Sequence, residues 1–363
     1  MTSKDAIKRQ RMRRHRLVSA PFASATDVVD HFGAVQAQEF QWAFWGVGQR
    51  TARTTLADLE QLFNDGAILR THVLRPTWHF VRPADIRWFL QLTGPRVHAA
   101  NAYYYRRLEL EDALFARSEE LLTQALTGGK TLTRTELAGE LERGGITASG
   151  QRLAYIAMHA ELDGIICSGP RRGKQHTYIR LEDRVPPAPN LDRDDALKRL
   201  TERFFSGHGP ATAPDFAWWS GLTLADVKRG IASLGNCLRA IDLDSVTYWD
   251  ISDLAGDVGE SSDKPVAVHL LPVYDEYLIA YKDRALVFAP AFQNSLDSEG
   301  EEIQAHIMLV DGLVSGGWRR EITSEGVVIS LRYLKGVSKI DPHLFASALD
   351  RYSRFLELPV VVS

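Results

Sequence analysis

Two glutamines separated by one residue, Gln36 and Gln38, are the polar pair whose spacing could support catalysis in this chain. Ala37 lies between them, and an aromatic stretch from Phe40 to Trp45 follows. Carboxamides do not titrate near neutral pH, so the pair cannot act as a general acid or base. Their carbonyl oxygens can accept hydrogen bonds from a water molecule and stabilise developing positive charge. By itself, such a pair beside apolar residues is more commonly a hydrogen-bonded feature of a helix terminus.

A repeated pattern indicates the elements that must position this pair. Residues 64–69, 162–167 and 233–238 each end an amphipathic helix at a breaker such as Asp-Gly or Gly-Asn, and an apolar run follows. Glycine supplies the left-handed backbone that is common at helix C-termini. We therefore predict three helix–turn–helix units, each followed by a two-stranded wing. Tandem units of this kind are typical of nucleic-acid-binding proteins.

The predicted fold class is α+β, with three tandem winged-helix units followed by a small, β-rich, barrel-like C-terminal subdomain. The predicted divisions are a basic N-terminal arm at 1–16, winged helices at 17–105, 106–185 and 186–262, and the C-terminal subdomain at 263–363. A capping box at Thr133 and Glu136 predicts a helix start. An acidic loop is expected at 253–264, strands at 266–273, 285–288, 306–313, 317–322 and 327–333, and a closing helix at 342–356.

Bulk properties exclude several classes of protein. At 363 residues the chain exceeds one small domain, and it contains no apolar run of about 18 residues that would predict a membrane span. The basic N-terminus lacks the apolar core of a secretory signal. Cys167 and Cys237 lie in apolar runs without zinc-ligand spacing, which favours reduced thiols. We expect a cytoplasmic, nucleoid-associated monomer without a metal or a cofactor.

Charge is distributed unevenly although the net charge is only −3. Basic residues concentrate at 8–16 and at 171–180, which predicts a positive face. Arg171, Arg172 and Lys174 form the tip of the second predicted wing and could contact phosphates, or be a solvated loop. Arg75 and His79, in the first predicted hairpin, could line a DNA groove or complete the wing.

Five signatures occur in order along residues 16–355. They are Val-Gln-Ala-Gln at 35–38, Arg-Pro-Thr-Trp-His at 75–79, the segment 209–222, the segments 271–277 and 281–284, and the segments 310–312 and 317–320. With these residues the chain resembles the AlkZ-like family of bacterial winged-helix DNA glycosylases, whose characterised members include an azinomycin-resistance enzyme.

The resemblance implies a monofunctional DNA glycosylase that removes N7-alkylated purines, including those in interstrand crosslinks, from double-stranded DNA. It also implies that Gln36 and Gln38 are catalytic, since they match the family's Gln–aliphatic–Gln motif. The chemistry is consistent, because ordinary glycosidases need a carboxylic acid to protonate the leaving group. An N7-alkylated guanine is already cationic and leaves as a neutral base, so groups that cannot donate a proton suffice.

Alternatives remain open from the residues alone. The units could belong to a DNA-binding regulator without chemistry, although the predicted recognition helix at 151–162 carries few base-reading side chains. The protein could also sequester a reactive natural product. Trp218 and Trp219 are predicted to be core residues rather than a stacking platform. The segment 274–277 is predicted to brace the C-terminal subdomain rather than to supply a general base.

Overall fold

The computed structural model describes residues 3–188, 191–252, 267–288 and 306–363 and combines helices with several small β-sheets. The acidic loop predicted at 253–264 lies outside the described residues. Elements are numbered in chain order from α1 (Lys4–Arg14). Within the described ranges, no helix has both the length and the apolar character that crossing a membrane requires.

The first unit contains three helices and a three-stranded sheet. Its elements are α2 (Ala25–Phe32), β1 (Ala34–Gln36), α3 (Phe40–Gly48), α4 (Leu56–Asn64), β2 (Leu69–Val73) and β3 (Arg75–Val81). The sheet order is β1-β3-β2, so the first short strand pairs with the second arm of the hairpin. Ser24 begins α2 through a reciprocal capping box with Asp27, as its position before an apolar periodic segment predicts.

The second unit repeats this element order after the connecting helix α5 (Pro83–Arg107). Its elements are α6 (Asp112–Ala125), β4 (Leu132–Thr133), α7 (Arg134–Arg143), α8 (Gly150–Leu162), β5 (Ile166–Ser168) and β6 (Thr177–Arg180), followed by the short α9 (Leu181–Arg184). The sheet order is β4-β6-β5. The capping box predicted at Thr133 and Glu136 is confirmed.

The third unit has the same sequence of helices and hairpin. Its elements are α10 (Arg193–His208), α11 (Ala213–Ser220), α12 (Leu224–Leu234), β7 (Leu238–Leu243) and β8 (Val246–Ile251). Here a single bridge between Ala211 and Trp249 takes the place of the first short strand. α11 ends at Gly221, whose left-handed conformation makes the turn into α12.

The C-terminal region is a curled five-stranded sheet with one covering helix. Its elements are β9 (Val268–Leu271), α13 (Glu276–Ile279), β10 (Ile307–Val310), β11 (Leu313–Ile322), β12 (Val327–Tyr333), α14 (Ala346–Leu356) and β13 (Val360–Val362). The strand predicted at 285–288 is wrong, since residues 285–287 form a 3-10 helix. The single strand predicted at 306–313 is divided, because Asp311 and Gly312 adopt the positive φ angles of a tight hairpin turn.

The repeated units and the C-terminal sheet do not all share one hydrophobic core. The first unit and the C-terminal sheet share one hydrophobic core, whereas the second unit has a core of its own. The basic helix α1 packs against the third unit, where buried Arg14 is 2.7 Å from Asp250 and buried Arg11 is 3.5 Å from Asp215. These two arginines are therefore internal ion-pair partners and not part of an exposed basic surface.

Candidate active site

The two glutamines lie at the end of a strand and not on a helix. Gln36 is the last residue of β1 and pairs with His79 of β3. The Ala37 N–H continues the pairing by donating to the Trp78 carbonyl at 2.7 Å. Gln38 lies just beyond β1, where the backbone bends, and Ala37 between the two glutamines is fully buried. The pair therefore spans the end of the strand.

The sheet face that carries Gln36 is polar. Cross-strand partners project to the same face of a sheet, and the register joins Gln36 to His79 and His79 to Thr71. Thr77 and Arg75 follow at alternate positions of β3. His79 Nε2, Thr71 Oγ1, Thr77 Oγ1 and Arg75 Nε are buried without a hydrogen-bond partner among the described residues.

His79 lies beneath the pair and has no exposed surface that DNA could contact. Burial, with smaller effects from Arg75 and other neighbours, lowers the pKa of His79 to about 3, so the ring is neutral near pH 7. Its Nδ1 atom is 3.0 Å from the Thr77 carbonyl. The side chain is therefore a neutral support for the polar face.

Arg75 orients the first glutamine directly. Its Nη2 donates to Gln36 Oε1 at 2.9 Å, and its guanidinium carbon lies 5.5 Å from the centre of the Trp218 ring. The hairpin turn that precedes Arg75 is held by close packing, because a Cβ on Gly221 would lie 2.2 Å from the Leu74 carbonyl oxygen. The turn between α11 and α12 therefore positions the arginine that contacts Gln36.

The backbone of the first glutamine is held by a carboxylate from the C-terminal region. Glu276 Oε1 accepts from the Gln36 N–H at 2.7 Å. Its Oε2 accepts from Trp219 Nε1 at 3.0 Å and lies 3.2 Å from His208 Nε2. Glu276 is only 2% exposed, so these contacts enclose both oxygens.

The charge state of Glu276 follows from its contacts. Burial alone would raise the pKa, but the hydrogen bond and charge of His208, the N–H of Gln36 and the proximity of His79 together outweigh it. The pKa of Glu276 is therefore lowered, and the group is a carboxylate near neutral pH. It cannot donate a proton.

The neighbouring residue explains the role of the 274–277 segment. Asp275 forms a two-pronged ion pair with Arg50 of the first unit, with N–O distances of 2.7 and 2.8 Å. Together with the Glu276 contacts, this pair joins the C-terminal region to the first and third units. The bracing role predicted for the segment is confirmed, and a general-base role is not supported for a carboxylate enclosed in this way.

The second glutamine is half buried and more accessible. The Gln38 carboxamide makes no hydrogen bond to any residue within the described ranges, and the backbone around it is fixed by Arg70. Arg70 Nε donates to the Ala37 carbonyl at 2.9 Å, and its guanidinium carbon lies 4.2 Å from the Trp78 ring centre. Sequence reasoning missed both Arg70 and Glu276 as supports of the pair.

The tip of the second predicted wing contacts Phe40, which lies close in sequence to the two glutamines. The guanidinium carbon of Arg171 lies 5.1 Å from the Phe40 ring, two residues beyond Gln38, and Arg171 Nη1 is 2.9 Å from Glu60. Arg172 pairs with Glu136 at the surface. Lys174 is exposed, with no ion pair to a described residue. Within the tip, Arg171 therefore packs against the first unit, whereas Arg172 and Lys174 remain exposed to solvent.

The two tryptophans differ in environment. Trp219 is fully buried, which confirms the core prediction for this residue. Trp218 is 42% exposed, so the same prediction is wrong for it. Its Nε1 donates to the Ile279 carbonyl at 2.9 Å, which leaves a fixed indole surface beside Arg75.

Comparison with known proteins defines the class. The solved structure of Streptomyces sahachiroi DNA glycosylase AlkZ matches the whole chain over its own whole length, with a TM-score of 0.81 and 21% identity. The chain therefore shares the fold of that protein. The family model described as DNA glycosylase AlkZ-like matches residues 29–355, and the chain belongs to this family.

A further similarity supports this assignment. An interstrand DNA cross-link repair glycosylase from Streptomyces sahachiroi is 24% identical over 339 residues, which cover 88% of each chain. The protein is accordingly a DNA glycosylase, a hydrolase of N-glycosyl bonds that acts on DNA. The alternative of a DNA-binding regulator that catalyses no reaction is therefore not supported.

Proposed function

We propose that this enzyme hydrolyses the N-glycosidic bond of cationic N7-alkylated purines, including purines in interstrand crosslinks, with Gln36 and Gln38 as the catalytic residues. The observation that carries the proposal is the chemical character of the groups around the pair. Carboxamides cannot protonate a leaving base, and Glu276, the carboxylate that accepts from the Gln36 backbone N–H, is ionised and enclosed. Such a site favours a base that leaves without needing a proton.

The pair can position water and stabilise charge. Gln36 Oε1 accepts one hydrogen bond from Arg75, and its second lone pair remains available to a water molecule. The Gln38 carboxamide, two residues further on and half buried, provides a second, unengaged acceptor. Both carbonyl dipoles can point their negative ends at an oxocarbenium-like sugar carbon while the water attacks it. The negative charge of Glu276 offsets the positive charge of Arg75. This compensation limits the repulsion between Arg75 and a cationic substrate.

The three repeated units are proposed to act as winged helices that hold the DNA. Arg172 and Lys174, at the exposed part of the second wing, are proposed to contact phosphates, whereas Arg171 anchors the tip to α4 and Phe40. Arg75 and His79 are proposed to act within the site rather than in a groove. The exposed indole of Trp218 is proposed to stack on the alkylated purine, since an aromatic face attracts a cation.

The crosslink component of the proposal rests on the relative that is named as a cross-link repair glycosylase and on the accessibility of Gln38. A base joined to the opposite strand cannot rotate freely out of the duplex. A half-exposed catalytic group at a strand end therefore suits such a base better than a deep pocket for an extruded one.

The decisive experiment measures release of N7-methylguanine from alkylated duplex DNA. We expect Gln36→Ala and Gln38→Ala each to reduce single-turnover rates by roughly 100-fold, in the range found when one group that stabilises charge is removed. Glu39→Gln is the matched control, because Glu39 is an exposed carboxylate adjacent to the pair and should be dispensable.

Two outcomes would refute the catalytic assignment of the glutamine pair. Full activity in the double variant Gln36→Ala/Gln38→Ala would remove the pair from catalysis. Loss of activity in Glu39→Gln would show that a carboxylate is required after all. DNA affinity measured by fluorescence anisotropy on the same variants separates impaired binding from impaired chemistry, and rapid release of unmodified guanine would contradict the substrate class.

A further inference from the structure

Four potential metal-ligating side chains converge in the second unit, away from the glutamine pair. His98 comes from α5, Glu119 from α6, and His159 from α8, while Asp163 caps the C-terminus of α8. One ligand atom from each of His98, His159 and Asp163 lies within 4.8 Å of the other two. The proposed reaction uses none of these residues.

The distances match those between ligands around one small cation. His98 Nε2 lies 2.9 Å from Asp163 Oδ1, and His159 Nδ1 lies 3.3 Å from Asp163 Oδ2. Glu119 Oε1 is 3.1 Å from the same His159 nitrogen. Ligands of a tetrahedral zinc ion, bound at roughly 2.0–2.1 Å, lie about 3.3 Å apart. His98, His159 and Asp163 approach this spacing, and Glu119, next to His159, is the nearest group for the fourth position.

The surroundings orient the two imidazoles. The Tyr105 hydroxyl lies 3.0 Å from His98 Nδ1, which leaves Nε2 of that ring directed at the cluster. This arrangement is typical of metal-binding histidines, whose second ring nitrogen is held by a neighbouring polar group. The His159 ring stacks on Phe115 with ring centres 3.6 Å apart, so packing fixes its position before any ion binds.

The charge of the cluster favours a dication. Glu119 and Asp163 each place a carboxylate oxygen within 3.3 Å of His159 Nδ1, so a divalent ion bound there would balance the charge of two carboxylates. The four side chains are partly exposed, with 17% to 39% of each accessible, so an ion can enter from solvent.

We propose that His98, Glu119, His159 and Asp163 bind one divalent transition-metal ion of the zinc class. Two nitrogen and two oxygen ligands suit zinc better than magnesium, which prefers oxygen ligands alone and an octahedral shell. The ion joins α5, α6 and α8 in the unit that has its own hydrophobic core. Because α8 leads through Gly164 into β5, the ion also stabilises the base of the second wing.

The proposal is tested by titrating the metal-free full-length protein with ZnCl2 in a calorimeter. We expect one zinc ion per chain and a higher thermal unfolding midpoint when zinc is present, with no such effect from MgCl2. His98→Asn and His159→Asn should each abolish this binding. His343→Asn, which alters an exposed histidine outside the cluster, should leave it unchanged.

A variant of Tyr105 keeps the test informative if a ligand variant fails to fold. Tyr105→Phe should weaken zinc affinity by roughly 10-fold or more while the stoichiometry stays at one, because the hydroxyl orients the His98 ring and does not itself bind the ion. Failure of the wild-type protein to bind zinc would overturn the proposal. Equal binding by wild type and by a folded His98→Asn/His159→Asn variant would place the ion elsewhere. None of these results depends on glycosylase activity.

Discussion

Replacement of Glu276 should impair catalysis through the position of Gln36, although Glu276 does not contact the substrate. Its oxygens accept from two obligate donors, the Gln36 N–H and the Trp219 Nε1–H, which bind different oxygens. A glutamine at 276 offers one carbonyl oxygen and one NH2 group. One of the two donors must therefore face another donor, whichever way the amide is turned.

The cost can be worked from these bonds. A hydrogen bond to a charged group contributes about 1.5–3 kcal/mol, so Glu276→Gln should lower the free energy of unfolding by roughly 2 kcal/mol. Glu276→Ala removes all the contacts and should cost about 3–5 kcal/mol, as for other buried charged groups that lose a partner. If about 1.4 kcal/mol of this loss also raises the activation free energy of base release, the rate falls about tenfold.

The assay combines urea unfolding with single-turnover release of N7-methylguanine under saturating enzyme. Asp85→Asn is the matched control, because Asp85 is equally buried, accepts from Trp88 Nε1 at 2.9 Å and pairs with Arg203. Both variants should lose stability, but only Glu276→Gln should lose rate, with DNA affinity unchanged. Equal rates in the two variants, with equal destabilisation, would refute the positioning role.

The acid dependence of the same variant has a defined sign. The pKa of Glu276 is lowered in the folded state, so its contribution to stability is complete above the unfolded-state pKa of about 4.3. The contribution is lost as the pH falls through the lower, folded-state pKa. The difference in unfolding free energy between wild type and Glu276→Gln should therefore shrink only in strongly acidic solution.

Three further predictions concern the indole, the wing and the buried histidines. Trp218→Ala should raise the DNA concentration needed for half-maximal rate by about tenfold, since aromatic stacking of one base contributes roughly 1–3 kcal/mol; an unchanged value would exclude stacking. Arg172→Ala/Lys174→Ala should reduce the slope of log affinity against log salt by about 2, and an unaltered slope would remove this wing from the DNA interface. Burial lowers the pKa of His31 to about 4 and that of His79 to about 3, so the unfolded state binds more protons below pH 6.5. The urea midpoint should fall from pH 6.5 towards 4, and a flat profile would contradict neutral burial.

Local patterns in the sequence predicted much of the helical architecture. The capping residues Ser24 and Thr133 and the turn at Gly221 act within a few residues, so their effects are visible without the fold. The division of the strand at 306–313 depended on two positive φ angles at Asp311 and Gly312. An Asp-Gly step in an apolar run is a hairpin signal that could have indicated that turn.

The supports of the site were not predictable in the same way. The motif shared with the AlkZ-like family predicts Gln36 and Gln38 as site residues, but Glu276 reaches Gln36 across 240 positions of sequence. The buried pairing of Arg14 with Asp250 spans 236 positions, so this arginine of the basic N-terminal segment is an internal ion-pair partner. The sequence shows which residues are charged, but it does not show which groups they contact, because those contacts are set by the tertiary fold.

The bond between Gln36 and Glu276 also has a consequence for how activity arises during synthesis. A chain that has been made as far as β8 contains both glutamines and all three repeated units, yet it lacks the carboxylate that fixes the first glutamine. Such an intermediate, or a fragment cut before α13, lacks the contact that fixes the Gln36 backbone. With Gln36 catalytic as proposed, base excision would be confined to molecules whose C-terminal region has been synthesised and docked.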